Sequence, residues 1–555
     1  MKRPLNKQLQ RPVQTSHKGA GRKFMTHSKG NRYTNSQVGK TNTVTIQSSM
    51  CRNTRATVYT LLFCCVFTLS IPIGDLQAKE PDASVLRDLR VDIGLNQINY
   101  TQKNALQSFH SAYADSWMRR LRIIHLGDSH VQPGISTGRL RSELQQRLGD
   151  GGYGLMFPYT IANARDPVDY YSEYTGEWQC GLSRRLPPAV PLGVLGMACQ
   201  TEDKDASFTL QFKIPVSPDW RIVRLFVRRA ARPVRLLLIS AKHKLRVTVP
   251  ASSKGEHMPL QVKLPAFDGS LTVRLAGRLP TDTQFKFYGL SLESIHPGGV
   301  IVDMAGVGAT RFRAQLNADH LDEQLQALRP NMIILDYGTN EYLYRDLIKP
   351  TLMPQIKEVI TRLKNAVPGV SILLTSTQDL AYKGVAVTSG DQFAQMIAHI
   401  AQQTQVAWYN WFHISGGANS ILRWTELGFA QSDNVHLTLR GYHLKGWLLA
   451  KALLRAVGWS DQGATKEQRR SPLINKYRRK KKAATRSHKR RSRRKKGRKF
   501  TYKIKRGDSL SSIAARYRVS VAEIKRWNRL SSSRIYPRQK LTLYRHRGKS
   551  RRTRR

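Results

Sequence analysis

The sequence predicts an α/β protein: a parallel-sheet domain interrupted by an all-β sandwich, with a small βααβ unit behind it. Three observations carry this. Apolar runs that end in turns alternate with amphipathic helical stretches before about residue 150 and again after about residue 299. Between these two regions lie only short Val-, Leu-, Ile- and Phe-rich runs separated by turn residues. Strand–helix alternation implies a parallel sheet covered by helices, and repeated short strands imply a sandwich. At 555 residues there is room for three or four domains of ~150 residues each.

Residues 1–55 are a basic N-terminal extension with 12 Lys/Arg and no acidic residue. The run ATVYTLLFCCVFTLSIPIG, Ala56 to Gly74, follows Arg52 and Arg55. It precedes DLQAKE, in which Leu76, Gln77 and Ala78 form a small-residue cleavage site. Residues 56–78 therefore read as a signal peptide, or as an uncleaved anchor. The extension is long for the segment ahead of a signal, and Met50 is an alternative start that restores the usual proportions. The expectation is export to the periplasm or cell envelope, with membrane anchorage through residues 56–74 as the alternative to cleavage.

Residues 86–154 begin the α/β domain. RLRIIHLGDSH is an apolar strand running into a turn, and STGRLRSELQQRLG is a helix with Ser136 or Thr137 as its N-cap. Residues 155–298 form the insertion, with strands at SFTLQFKIPV, RIVRLFVRR, VRLLLIS, LRVTVP, LQVKLP, SLTVRLAG and FKFYGLSLES. Residues 299–460 complete the first domain with strands at GVIVDMAG, NMIILDYG, VSILLTST and VAWYNWF, and a helix at MPQIKEVITRLKNAV. Residues 466–499 are a polybasic linker without apolar periodicity, 500–544 the small βααβ unit, and 545–555 a basic tail.

Most of the formal charge of +55 lies at the ends: +12 on residues 1–55 and +34 on 466–555, leaving +9 on 56–465. The middle is therefore an ordinary globular region. A nucleic-acid partner is not expected, because Tyr477 is the only aromatic in the linker and export removes the target. Anionic envelope polymers are the expected partner of the linker, unless it is only a solvated spacer. Three of the five cysteines lie in or before the apolar run; Cys180 and Cys199, 19 positions apart, either bridge or remain two buried thiols. The bridge is favoured, in a structural role.

Four segments place chemistry-bearing residues beside strand ends or helix starts. IHLGDSHVQPG carries Ser129, DMAGVGATRF carries Gly306 and Gly308, LDYGTNEYL carries Asn340, and SDNVHLTLRGYHLKGW carries Asp433 and His436. Taken in that order they resemble the SGNH hydrolases, also called the GDSL family, over about residues 120–149 and 299–457. The resemblance implies a flavodoxin-like parallel sheet and a serine esterase acting through an acyl-enzyme, with no cofactor and no metal. It implies Ser129 as nucleophile, His436 as its base and Asp433 as the group orienting that base. The N–H of Ser129, the N–H of Gly308 and the side chain of Asn340 are its implied oxyanion donors. A serine hydroxyl needs such a base, and a tetrahedral oxyanion needs donors already aimed at it. Read singly, Gly308 also fits tight packing, and Asn340 or Asp433 a helix cap. His130 stands where leucine ends the family's tetrapeptide. GDSH is similar to the form in bacterial peptidoglycan O-acetylesterases, which carry a carbohydrate-binding-type β-sandwich at the same place. His443 reads as a helix residue; the role of His130 is left open.

A literal Gly-Asp-Ser-Leu occurs later, at residues 507–510. FTYKIKRGDSLSSIAARYRVSVAEIKRWNRLSSSRIYPRQKLTLY resembles a LysM domain over its whole length, with Ile513, Ala514, Tyr517, Val519, Ile524 and Trp527 as its core. Asp508 or Ser509 would cap the first helix. The resemblance implies a glycan groove near Asp508, Ser509 and Leu510, and a peptidoglycan or N-acetylglucosamine-containing partner. Together the two resemblances imply removal of O-acetyl groups from peptidoglycan; an SGNH esterase or acetyltransferase working on another envelope polysaccharide or lipid ester is the alternative.

Overall fold

The computed structural model describes residues 80–252, 259–459 and 498–545, except 518, 529, 531 and 534. The basic extension, the apolar run of residues 56–78, nearly all of the linker and the basic tail beyond residue 545 lie outside the described residues.

Five strands form a parallel sheet: β1 (Arg120–Gly127), β2 (Gly299–Gly306), β3 (Met332–Asp336), β4 (Ser371–Thr375) and β5 (Ala407–Tyr409). Their order is β2-β1-β3-β4-β5, with every neighbouring pair parallel. Helices cover both faces, so β2, β3 and β4 are buried along their whole length and read as mostly apolar runs, broken by Asp303 in β2 and closed by Asp336 in β3. The order reverses beside β1, which pairs with β2 on one side and β3 on the other. Loops leaving these strands therefore diverge and open a crevice at their carboxyl ends. Gly127 at the end of β1 is in register with both Gly306 and Asp336, which puts the three loops level.

The stretch after β1 differs from expectation. A turn over residues 128–133 separates Ser129 from the next helix, Ile135–Leu148, whose N-cap is Gly134 in the left-handed region at φ 74°. Ser136 and Thr137 are therefore inside the helix and buried, and neither caps it. Thr137 Oγ1 instead lies 2.9 Å from His125 Nδ1.

The insertion is two antiparallel sheets. One orders Leu260–Lys263, Trp220–Val227, Phe285–Ser294, Met197–Thr201 and Gln179–Leu182, with Gly152–Met156 also paired to Phe285–Ser294. The other orders Tyr170–Thr175, Ser207–Phe212, Ser270–Leu275, Val234–Ser240 and His243–Val249. Phe208, Leu225, Leu236, Val273 and Phe287 are among the residues of their shared core. All seven expected strands are present. Four more were not expected: Gly152–Met156, Tyr170–Thr175, Gln179–Leu182 and Met197–Thr201, which are short and carry Gly, Cys or consecutive polar residues. The first of them straddles the expected start of the insertion at residue 155. Cys180 and Cys199 oppose each other across adjacent strands and are joined by a disulfide.

A buried ionic cluster fastens the insertion to the sheet. Asp303 of β2 accepts from Arg122 Nη1 of β1 at 3.0 Å and from the Leu155 amide at 2.8 Å, and Arg122 also pairs with Glu293 of the insertion. Breaking one partner of such a cluster leaves an uncompensated charge, which is far costlier than losing an exposed pair.

The LysM-like segment is built as expected. Strands Arg498–Lys503 and Lys540–Arg545 pair antiparallel around helices Leu510–Tyr517 and Val521–Asn528. Its core includes Tyr502, Leu510, Ile513, Ala514, Ile524, Leu541 and Leu543, with Tyr517, Val519 and Trp527 packed beside it.

Candidate active site

Ser129 sits in the turn just past β1, at the switch point of strand order. The turn is tight because the Val131 and Gln132 amides both donate back to the Asp128 carbonyl, at 3.1 and 3.0 Å. It lies so close to β2 that a Cβ on Gly306 would stand 2.3 Å from the Gln132 nitrogen. Glycine at 306 is therefore a requirement for the close approach of this turn.

His436 arrives from the segment before the long helix Leu439–Ala456. Its Nε2 lies 2.9 Å from Ser129 Oγ, and its Nδ1 lies 2.7 Å from Asp433 Oδ2. The other carboxylate oxygen, Asp433 Oδ1, accepts the amides of Val435 (3.0 Å) and His436 (2.9 Å). Partial burial alone would raise the Asp433 carboxyl. The His436 ring and these amides outweigh that and hold it at about 2, so it is ionised at neutral pH. Asp433 is not the cap of the following helix: Thr438 is, accepting from the Gly441 amide. A hydroxyl on an imidazole whose far nitrogen meets a carboxylate is an arrangement suited to base-assisted nucleophilic attack.

Two of the three expected donors, Gly308 and Asn340, are hydrogen-bonded within the protein. The Gly308 amide donates to Gln132 Oε1 at 2.6 Å. Asn340 is buried, and its Nδ2 donates to Asp128 Oδ2 (3.2 Å) and the Thr310 carbonyl (2.9 Å). Asn340 is inside the short helix Thr339–Tyr342 and does not cap it; Gly338 occupies that position. Asp128, the middle residue of Gly-Asp-Ser, also accepts the His130 amide at 2.9 Å. Burial pushes its carboxyl up to about 7, against the pull of that amide.

His130 has a definite place. Its ring stacks on the His436 ring with centroids 5.1 Å apart and 26° between planes. Tyr442 Oη lies 2.9 Å from its Nδ1, and Gln378 Nε2, beside it, donates to the Val435 carbonyl at 2.8 Å. Burial first, then the nearby His436 and Lys445, hold the His130 imidazole well below its ordinary range, so it is neutral. Beneath the turn Asp336 accepts from Lys445 Nζ at 2.8 Å and lies 3.2 Å from His125 Nε2. His443 is buried within the Leu439–Ala456 helix.

Gln132, Gln378, Tyr442 and the place of His130 were not legible beforehand. Gln132 and His130 lie inside the quoted motif, but no spacing rule says where a turn's side chains point. Among the described residues no cluster of His, Cys, Asp and Glu could hold a metal ion.

In the LysM-like segment, Ser509 caps the first helix, accepting from the Ser512 amide at 3.1 Å. Asp508 is engaged internally, by Tyr502 Oη at 2.7 Å and the Lys505 amide at 2.8 Å. Leu510 is in the core of the segment.

Comparison with known proteins agrees with these two regions. Residues 270–444 match the GDSL-like Lipase/Acylhydrolase family and residues 502–543 match the LysM domain. The first match spans Gly308, Asn340, Asp433 and His436 but not Ser129, which the fold brings in from outside it. Among solved structures, a peptidoglycan O-acetylesterase is similar, at 22% identity with a TM-score of 0.52, covering 65% of this chain and 97% of that one. A family two carbohydrate esterase from Cellvibrio japonicus matches at 11% identity with a TM-score of 0.23, covering 52% of this chain and 99% of that one. No curated protein sequence matches the chain. The chain thus carries a GDSL-like lipase/acylhydrolase (SGNH) domain, interrupted by antiparallel sheets and followed by a LysM domain.

Proposed function

We propose that this protein is an exported serine esterase that removes O-acetyl groups from peptidoglycan, held to the wall by its LysM domain. The observation that carries the chemistry is the relay from Ser129 Oγ to His436 Nε2 at 2.9 Å and from His436 Nδ1 to Asp433 Oδ2 at 2.7 Å. In this reading His436 takes the Ser129 proton as Oγ attacks the acetyl carbonyl carbon. The tetrahedral oxyanion is met by the N–H groups of Ser129 and Gly308 and by Asn340. Collapse expels the sugar hydroxyl, protonated by His436, and leaves acetyl-Ser129. Water activated by the same imidazole then releases acetate. Asp433 keeps the proton on Nδ1, so that Nε2 faces the serine as acceptor.

The substrate rests on two supports. A LysM domain implies peptidoglycan binding and wall association. The similar solved structure with the higher TM-score belongs to a peptidoglycan O-acetylesterase. No helix among the described residues is long and apolar enough to cross a membrane; the proposed export signal lies outside them.

The test measures acetate released from O-acetylated peptidoglycan by the protein and by Ser129→Ala, beside a soluble acetyl ester and acetylated xylan. Ser129→Ala is expected to lose about 10⁴-fold in turnover while still binding wall. Serine-dependent release with wall preferred over xylan supports the reading. Activity on the soluble ester alone sends the same chemistry to another envelope polysaccharide or lipid ester.

A further inference from the structure

The Gly308 amide is already occupied. Gln132 Oε1 accepts it at 2.6 Å, and the other end of the same side chain donates from Nε2 to the Arg165 carbonyl at 2.9 Å. The occupied position adjoins the serine: a Cβ built on Gly308 would lie 2.9 Å from Gln132 Oε1 and 3.9 Å from Ser129 Cβ. The amide is fixed in this sense, since turning it over would face Nε2 with a donor and Oε1 with an acceptor.

A side-chain amide carbonyl and an ester carbonyl present the same kind of acceptor to an N–H. We propose that Gln132 occupies the oxyanion position in the substrate-free enzyme, as an intramolecular stand-in for the ester carbonyl that substrate must displace before acyl transfer. The proposal rests on the reading of Gly308 as an oxyanion donor. Gln132 also links three pieces of chain: the turn after β1, the loop after β2, and the loop at Arg165. That third loop leads into the inserted strand Tyr170–Thr175 and is held to the serine turn where the Val168 amide donates to the Pro133 carbonyl at 3.0 Å. The side chain therefore has an anchor on each side, which keeps it over the amide.

Displacement costs the substrate one internal hydrogen bond. Removing the stand-in returns roughly two- to tenfold in affinity, the factor that a net protein hydrogen bond is worth. The experiment compares wild type, Gln132→Ala and Gln132→Glu on a soluble acetyl ester, with a melting curve for each. Gln132→Ala is expected to lower KM by that factor with kcat kept. Gln132→Glu is expected to lower kcat/KM at least tenfold at neutral pH, because a carboxylate holds the amide more strongly and repels the developing oxyanion. Hydrogen exchange of a peptide spanning residues 304–312 is followed in parallel, and the Gly308 amide is expected to exchange about tenfold faster in Gln132→Ala. An unchanged KM, or a tenfold loss of kcat at an unchanged melting temperature, overturns the proposal. The exchange measurement needs no turnover. A wild type without serine-dependent hydrolysis therefore counts against the esterase reading, while unchanged exchange counts against this one.

Discussion

Replacing Asp433 separates orientation of the imidazole from mere proximity of a charge. In Asp433→Asn, the two amides that hold Oδ1, from Val435 at 3.0 Å and His436 at 2.9 Å, still require an acceptor there. The Asn oxygen fills that place, and the new NH₂ stands where Oδ2 was, 2.7 Å from His436 Nδ1. Nδ1 must then accept, so the ring proton moves to Nε2 and points at Ser129 Oγ. The base is blocked by its own tautomer. An inverted tautomer costs about 10⁴-fold in kcat in the serine-protease case, or about 5 kcal/mol of barrier. Asp433→Ala imposes no tautomer. The His436 and Asp433 side chains are 33% and 45% exposed, so water reaches Nδ1 and accepts its proton. That variant is expected to lose only ~10²- to 10³-fold, as orientation weakens and the imidazolium loses its carboxylate. The assay is initial-rate hydrolysis of a soluble acetyl ester by both variants, with melting curves to check folding. Asn losing no more than Ala would refute the tautomer argument. Both staying within tenfold of wild type would remove Asp433 from the mechanism.

Two further outcomes follow from burial and close approach. Glu341 Oε1 accepts the Phe312 amide at 2.8 Å, Oε2 is buried without a partner, and burial pushes the carboxyl up to about 8. Because this folded value is raised, the stability tied to the neutral form is full below about 4.5 and is lost as pH rises through about 8. Glu341→Gln, a neutral isostere, is therefore expected to gain melting temperature over wild type progressively from pH 5 to pH 8; a constant difference would contradict the buried-acid account. Gly306→Ala sets a methyl 2.3 Å from the Gln132 backbone nitrogen, so the serine turn must shift. A melting temperature lower by several degrees, with roughly tenfold or greater loss of turnover, is expected from overpacking. Gly308→Ala is the control, because its methyl meets the far end of the Gln132 side chain at 2.9 Å and Ser129 Cβ at an ordinary 3.9 Å, and should leave the melting temperature unchanged. Equal melting of the two variants would overturn the distinction.

The parallel sheet was legible in the chain because strands buried on both faces are apolar along most of their length, as MIIL and the VIV of β2 are. Asp433 and His436 were legible as a pair because three residues in one turn meet through local geometry alone, and the LysM-like unit because every contact in it spans a few dozen residues. The missed strands, such as Tyr170–Thr175 and Gln179–Leu182, take their pairing from distant partners and show little alternation of their own. Ser136 and Thr137 looked like caps by residue type. The six-residue turn demanded by the approach of Gly306 moved the helix start, and left Thr137 facing His125. That Ser129 lies against His436, 307 positions away, is decided by tertiary packing: strand order opens the loops after β1, β2 and β3 into one crevice, and the helix Leu439–Ala456 that follows His436 packs on Ile135–Leu148, the helix that follows the serine turn. The stacking of His130 on His436 and the seating of Gln132 on the Gly308 amide are tertiary outcomes too. Which way a turn's side chains point depends on what packs above and below them, and in this protein those neighbours come from the far half of the domain.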